Sequence, residues 1–253
     1  MLCGIDEAGR GPLAGPVCAA AVVLPNDFPV GILADSKKLK RRQREDARLI
    51  IIERAAAWGV GWATHTEIDE INILRASLLA MRRAFEFMVS GIFNINHEPT
   101  QTRTFGTHTN RRETIKAKVR DVRVVSGKNI PYVWPVKLET ETPFGRPFAP
   151  AGVSGAVAIP AGLHAVADGT HTPELAVPCT AVIKADDTIP EVMAASILAK
   201  TARDQLMEYY SRLYPRYGYE RHKGYPTKDH RKLVLQYGPS PIQRMSFRIR
   251  NEE

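Results

Sequence analysis

"CGIDEAGRGPLAGPVCAAAVVL", residues 3–24, holds two short apolar runs, 2–6 and 17–24, either side of a turn built from Gly9, Arg10, Gly11, Pro12, Gly15 and Pro16. Apolar runs of this length bounded by Gly and Pro read as buried strands, and the tight connection predicts an antiparallel pair. The first run leads straight into two adjacent carboxylates, Asp6 and Glu7. Charged residues before Gly and Pro often mark no more than a strand end and a solvated turn, and this stretch alone leaves that reading level with a functional one. Neighbouring residues on an extended strand point to opposite faces. For both acids to reach one site, the strand is expected to end at them and the glycine turn to bring Glu7 back.

Beyond this pair, "KKLKRRQREDARLIIIERAAAWG" is broadly helical in spacing, with Asp35 or Ser36 as its expected cap and Gly59 as its stop. A strand-like "VGWATHT" follows. Ile71, Leu74, Leu78, Met81, Phe85 and Met88 then recur at helical steps within "EIDEINILRASLLAMRRAFEFMVSG", which predicts a long amphipathic helix. Residues 94–160 break the rhythm with seven prolines and ten Lys or Arg against five Asp or Glu. They are read as a basic, β-rich lobe inserted into a single domain that spans 1–253. Regular order returns with "LHAVADG" and "CTAVIKADD", two strands expected to deliver Asp168 and Asp186 at their ends. "PEVMAASILAKTARDQLMEYYSRL" is a helix with Pro190 in its first turn, and another helix is expected near "TKDHRKLVLQYG".

Composition narrows the function. The 253 residues are 44% hydrophobic and 25% charged, ordinary for a globular chain, and no segment has the roughly 18 or more apolar residues of a membrane span. Cys3, Cys18 and Cys179 are odd in number and sit in apolar stretches, so they are expected to be buried thiols of a cytoplasmic protein rather than a disulfide framework. The net charge of +8 points towards a polyanionic partner.

Asp6, Glu7, Asp168 and Asp186 are thus four acids at or near strand ends. If they converge they repel one another unless a cation lies among them. Oxygen donors of this type suit Mg²⁺ or Mn²⁺, and two such ions about 4 Å apart could drive phosphodiester hydrolysis with no protein nucleophile. Isolated strand-end Asp residues more often form turns, so spacing by itself leaves convergence undecided.

The ordered set "GIDEAGRGPLAGPVCAAAVVL", "DSKKL", "EIDEINILRASLLAM", "VADG", "AVIKADDTIPEVMAASILAKTARD", "HKGYPTKDH" and a late "SF" resembles the type 2 ribonuclease H family, ribonuclease HII, over nearly all of the chain outside 94–160. The resemblance implies an α/β ribonuclease H-like fold, a mixed central sheet flanked by helices with a helical C-terminal part. It also implies an endoribonuclease acting on RNA/DNA hybrids and 5′ of ribonucleotides embedded in duplex DNA, with two Mg²⁺ or Mn²⁺ ions per site.

The family's four metal-binding acids fall on Asp6, Glu7, Asp168 and Asp186, its ribose-reading Gly-Arg-Gly on Gly9, Arg10 and Gly11, and its substrate-sensing tyrosine on Tyr225. Where the family commonly has Gly-Asp, this chain has Ala185, Asp186 and Asp187. Counting to "AASILAK" favours Asp186 as ligand and Asp187 as the acid of the helix start. Glycines suit close approach to a sugar, and the 2′-hydroxyl separates RNA from DNA.

Ser36, Lys37, Lys200, His222 and Lys223 are the further candidates for nucleic-acid contact. Positive charge at a helix start opposes the dipole, which suggests that Lys37 meets phosphate. Lys200, Arg203 and Asp204, at helical spacing, equally suit pairing among themselves, and Asn72 suits a bond to its own helix start. The expected partner is nucleic acid, with no membrane, bound by a monomer. A junction resolvase-like nuclease and a non-catalytic hybrid-binding protein are the rival readings.

Overall fold

The computed structural model describes residues 1–33, 39–92 and 159–248. The lobe expected over 94–160 lies outside these residues but for its last two positions, and so do Asp35, Ser36, Lys37 and Lys38. Five strands form one sheet in the order β3-β2-β1-β4-β5: β1 (Leu2–Ala8), β2 (Val17–Val23), β3 (Ala57–Ala63), β4 (His164–Asp168) and β5 (Cys179–Val182). β1–β2 and β2–β3 are antiparallel, while β1–β4 and β4–β5 are parallel, so the sheet is mixed. The helices are α1 (Arg41–Arg54), α2 (His65–Ile92), α3 (Pro190–Leu213), α4 (Tyr219–His222) and α5 (Lys228–Tyr237).

The sheet is apolar on both faces, as a sheet covered by helices must be. Cys3, Ile5, Ala19, Ala21 and Ala165 face α2, where Met81, Phe85 and Met88 are buried against them. Cys18, Ala20 and Val22 face the other way, onto Ala47 and Ile51 of α1 and Ala194, Ala195 and Leu198 of α3. Glycine sets how closely the layers approach: a Cβ at Gly59 or Gly61 would overlap the α2 backbone, and one at Gly4 would overlap Glu191 and Val192 of α3. Gly59 is therefore not a helix stop. It lies inside β3, and α1 ends five residues earlier.

Two other boundaries differ from expectation. α1 begins at Arg41 with Lys40 at its N-cap, the Gln43 side chain accepting from the Lys40 N–H (2.9 Å), rather than being capped at Asp35 or Ser36. α2 is interrupted at Asn72 (φ 68°, ψ 165°), whose Oδ1 accepts from the N–H groups of Leu74 (3.0 Å) and Arg75 (3.1 Å). Asn72 is thus the N-cap of the longer second segment, and its short amide tolerates the left-handed region that most side chains avoid.

The C-terminal part packs on the end of α3 through Leu206, Met207, Tyr210, Tyr219 and Ile242. Within it the rings of His222 and His230 stack at 4.4 Å. His222 Nε2–H donates to Tyr217 O (2.8 Å) while its Nδ1 accepts from Gly224 N–H. His230 Nδ1–H donates to Tyr225 O (3.0 Å), and its buried Nε2 has no partner among the described residues. Both rings are neutral here, because a second proton would break one bond or leave a charge buried.

Burial, with His222 beside it, pulls His230 down to about 4. A histidine whose folded pKa is depressed stabilises the fold fully above its unfolded value of about 6.5, and that stability is lost as pH falls towards 4, up to about 3 kcal/mol. Wild type is expected to lose melting temperature more steeply than His230→Asn between pH 6.5 and 4. Parallel pH profiles would contradict this.

Candidate active site

The sheet register decides which acids meet. Ile5 pairs with Ala167, so the next rung sets Asp6 beside Asp168. Gly4 and Val166, two residues earlier on each strand, face α3, and alternation puts both aspartates on that same face. Asp186 is placed differently. β5 ends at Val182, Lys184 takes a left-handed conformation (φ 60°), and Asp186 lies buried in a 3-10 turn, Ala185–Asp187, just before α3. It is not the last residue of a strand, as expected from the sequence. Asp187 beside it is exposed.

The strand also does not end at Asp6 and Glu7. β1 stays paired with β2 through Glu7↔Ala19 and Ala8↔Cys18, so Glu7 has the parity of Ile5 and the opposite face. The pairing of β1 with β4 stops at Ile5↔Ala167, and Glu7 interacts electrostatically with Asp168 just beyond it. The two adjacent acids lie on opposite faces near the C-terminal end of the central strand β1, and no strand end or back-twist is needed.

Asp6 is 5% exposed. Burial above all, then the charges of Glu7 and Asp168, push its carboxyl well above the usual range, against hydrogen bonds from Ser196 and from the Glu7 N–H. Burial also raises Glu7, opposed by Arg10, whose Nη1 donates to Glu7 Oε1 at 3.2 Å. Glu7 Oε2 is buried and accepts no hydrogen bond among the described residues. Asp6 Oδ1 accepts from Glu7 N–H (2.7 Å) and Asp168 Oδ1 from Ala185 N–H (2.8 Å).

Among the described residues no three Asp, Glu, His or Cys side chains form a ready-made ligand set. Asp6, Glu7 and Asp168 instead repel one another, with Asp6 buried, and a hard cation relieves such repulsion. The donor set is all oxygen, with one orphaned buried carboxylate oxygen, and it fits Mg²⁺ or Mn²⁺.

The turn after β1 places Gly9 at φ +97° and Gly15 at φ +84°. Gly11 lies next to Tyr225: a Cβ there would come 3.8 Å from that ring, in ordinary contact. Tyr225 is 37% exposed, with Lys200 Nζ and the Arg203 guanidinium each 5.7 Å from its ring centre. Lys200 is also bonded to Asp204 (2.7 Å).

Two expected nucleic-acid contacts are turned inward. His222 is buried in the histidine stack, and Lys223 Nζ is held by Glu208 (2.7 Å) and Glu220 O (2.9 Å). Arg203 does not pair along its helix either. It is 1% exposed and donates to Pro16 O, Ala14 O and Lys223 O. Sequence reasoning gave Arg203 the wrong partners and missed Arg244, Ser196 and Asp69, since a lone buried polar residue leaves no periodic signal.

A mixed sheet in this order, helices on both faces and carboxylates gathered on adjacent central strands define the ribonuclease H-like class of metal-dependent nucleases. The Ribonuclease HII family profile matches residues 3–128 and 164–250. Ribonuclease HII of Treponema denticola is 42% identical over 99% of this chain and all of its own length, and that of Dechloromonas aromatica 38% identical over 98% of this chain and 90% of its own. The chain belongs to the ribonuclease HII family, and it is a metal-dependent endoribonuclease of the ribonuclease H type.

Solved structures agree on the fold. The ribonuclease H2 of Pyrococcus horikoshii OT3 superimposes with a TM-score of 0.54 at 21% identity, covering 98% of this chain and 94% of its own. Bst-RNase HIII in complex with Mn²⁺ gives 0.56 at 13%, covering 97% and 66%. Among the described residues no helix is long and apolar enough to cross a membrane.

Proposed function

We propose that Asp6, Glu7, Asp168 and Asp186 hold two divalent ions, and that the enzyme cuts on the 5′ side of ribonucleotides in duplex DNA as well as along RNA/DNA hybrids. The observation carrying this is the electrostatic meeting of Asp6, Glu7 and Asp168 at the C-terminal ends of β1 and β4, with Asp6 buried and Glu7 Oε2 unsatisfied. When bound, the ions activate water and stabilise the leaving oxygen of an in-line displacement.

The protein's part is orientation. Backbone N–H groups of Glu7 and Ala185 each fix an oxygen of Asp6 and of Asp168, which holds both carboxylates in place to meet an ion. Arg10 must release Glu7, a small cost because the arginine side chain is half exposed and such pairs contribute about 1 kcal/mol or less. Freed, Arg10 is available to phosphate. The Gly9-Arg10-Gly11 backbone reads the ribose, and the partly exposed Tyr225 ring packs on the neighbouring sugar. Asp6, Glu7, Asp168, Asp186, the turn and Tyr225 all come from one chain, and we read the enzyme as acting as a monomer.

The test is a duplex with a single ribonucleotide. In Mg²⁺ or Mn²⁺ it should be nicked 5′ to that residue, leaving 3′-hydroxyl and 5′-phosphate ends, and chelation should stop the reaction. Nicking of an all-DNA duplex at a similar rate would overturn the reading. Within the site, Asp186→Asn should lower the rate at least a hundredfold and Asp187→Asn by no more than about twofold, since Asp186 is buried and Asp187 exposed. The reverse ranking in single-turnover cleavage would reassign the ligand.

A further inference from the structure

The turn between β1 and β2 is held from beneath by a buried arginine far away in sequence. Arg244, 0% exposed, donates from Nη2 to Gly9 O (2.6 Å), from Nη1 to Arg10 O (2.9 Å) and from Nε to Gly15 O (2.8 Å). Its own backbone N–H donates to Leu13 O (2.9 Å), and the Gln243 side chain donates to the same oxygen (2.9 Å). In a planar trans peptide the C=O and N–H point in opposite directions, and the chain has no cis peptide bond among the described residues. Turning Gly9 O and Arg10 O inward therefore aims the N–H groups of Arg10 and Gly11 away from Arg244. Successive N–H groups presented together bind an acceptor oxygen.

The geometry calls for arginine. A guanidinium offers five donors in a rigid fork, whereas a lysine ammonium is a single point that cannot span carbonyls at residues 9, 10 and 15. The segment bearing Arg244 is anchored in turn by Asp69 of α2. Its carboxylate accepts from the N–H groups of Met245 (2.9 Å) and Ser246 (2.9 Å) and from the Ser246 hydroxyl (2.6 Å). Burying a guanidinium against backbone oxygens costs solvation that no ion pair among those bonds returns. What those bonds secure is the orientation of one turn.

We propose that Arg244 is a positioning residue for ribose recognition: it fixes the Gly9–Gly11 carbonyls inward so that the Arg10 and Gly11 N–H groups meet the sugar's 2′-hydroxyl oxygen. This rests on the reading of that turn given above. Arg244 touches no reacting atom, and its effect is on discrimination between ribose and deoxyribose.

The experiment compares KM for a duplex carrying one ribonucleotide with Ki for the same duplex made wholly of DNA, used as competitor, both in Mg²⁺. Wild type is expected to show a Ki at least tenfold above KM. In Arg244→Met, KM rises at least fivefold with Ki unmoved, so the ratio collapses towards one. Arg244→Lys, which keeps the charge and covers the case in which the methionine variant does not fold, shows an intermediate ratio. Ile51→Ala, a core change between α1 and α3, lowers the melting temperature and leaves the ratio at the wild-type value. A folded Arg244→Met or Arg244→Lys with an unchanged ratio, whatever its kcat, overturns the positioning role. A wild-type ratio of one overturns the reading of the turn itself.

Discussion

Asp6→Asn is expected to lower cleavage at a single ribonucleotide by a factor on the order of 10³ or more, while the protein melts at the same temperature as wild type or higher. Both halves follow from one fact. Asp6 is buried with its carboxyl raised by desolvation and by Glu7 and Asp168, so its ionised form at neutral pH costs the fold stability. Asparagine keeps the size, and its carbonyl oxygen can still accept from the Glu7 N–H, but it carries no charge to hold a cation.

The sign is that of a carboxylate whose folded pKa lies above its unfolded one: its contribution to stability is present at low pH and lost as pH rises. Divalent cation reverses the comparison, because an ion bound only by the folded state stabilises it. Mg²⁺ should raise the melting temperature of wild type more than that of Asp6→Asn. Cleavage by the variant within tenfold of wild type, at saturating Mg²⁺, would remove Asp6 from the ligand set.

Gly4→Ala is expected to be the most damaging single methyl group in the described structure for its effect on the site. The added Cβ would overlap Glu191 C and O and Val192 N, all backbone atoms of α3, and no rotamer change relieves a clash with backbone. Either α3 moves off the sheet or β1 bends. Overpacking of this kind costs about 3 kcal/mol or more, roughly 6–12 °C in melting temperature for a chain of this length.

Activity should fall further than stability accounts for, by about a hundredfold at temperatures where the variant is fully folded. The same contact sets Asp6 on β1 against Ser196 on α3, and small misplacements at a reacting centre are costly. Gly31→Ala is the control, because an added Cβ there meets nothing within 4 Å. If both alanine variants melt and cut alike, the account of how α3 seats on the sheet is wrong.

The rival readings are separated by family and by geometry. A non-catalytic binding protein is set aside because membership of the ribonuclease HII family makes the chain an enzyme. A junction resolvase is set aside by the same membership, and the Gly9 and Arg10 carbonyls held by Arg244 suit the ribose reading proposed above.

The apolar runs and their punctuation determined much of this protein by themselves. They were enough for the β1–β2 hairpin, the long α3 with Pro190 in its first turn, the α5 helix opening at Thr227, and four candidate acids in named positions, because strand and helix periodicity and turn chemistry are local properties. Periodicity also misled. It ran the α2 helix through Asn72, although the side-chain bond of Asn72 to its own helix start is as expected and breaks the helix there, and it placed Gly59 at a helix end, although its lack of a side chain serves contact with α2.

Tertiary structure alone decided that Asp6 and Asp168 share one face and Glu7 meets them from the other. That outcome depends on the parallel register Ile5↔Ala167 between segments more than 150 residues apart, which no local pattern encodes. It also decided that His222, Lys223 and Arg203 turn inward and that Arg244 reaches back to Gly9. Burial and long-range hydrogen bonding belong to the packed chain, and a polar residue reads the same in sequence whether water or a carbonyl awaits it.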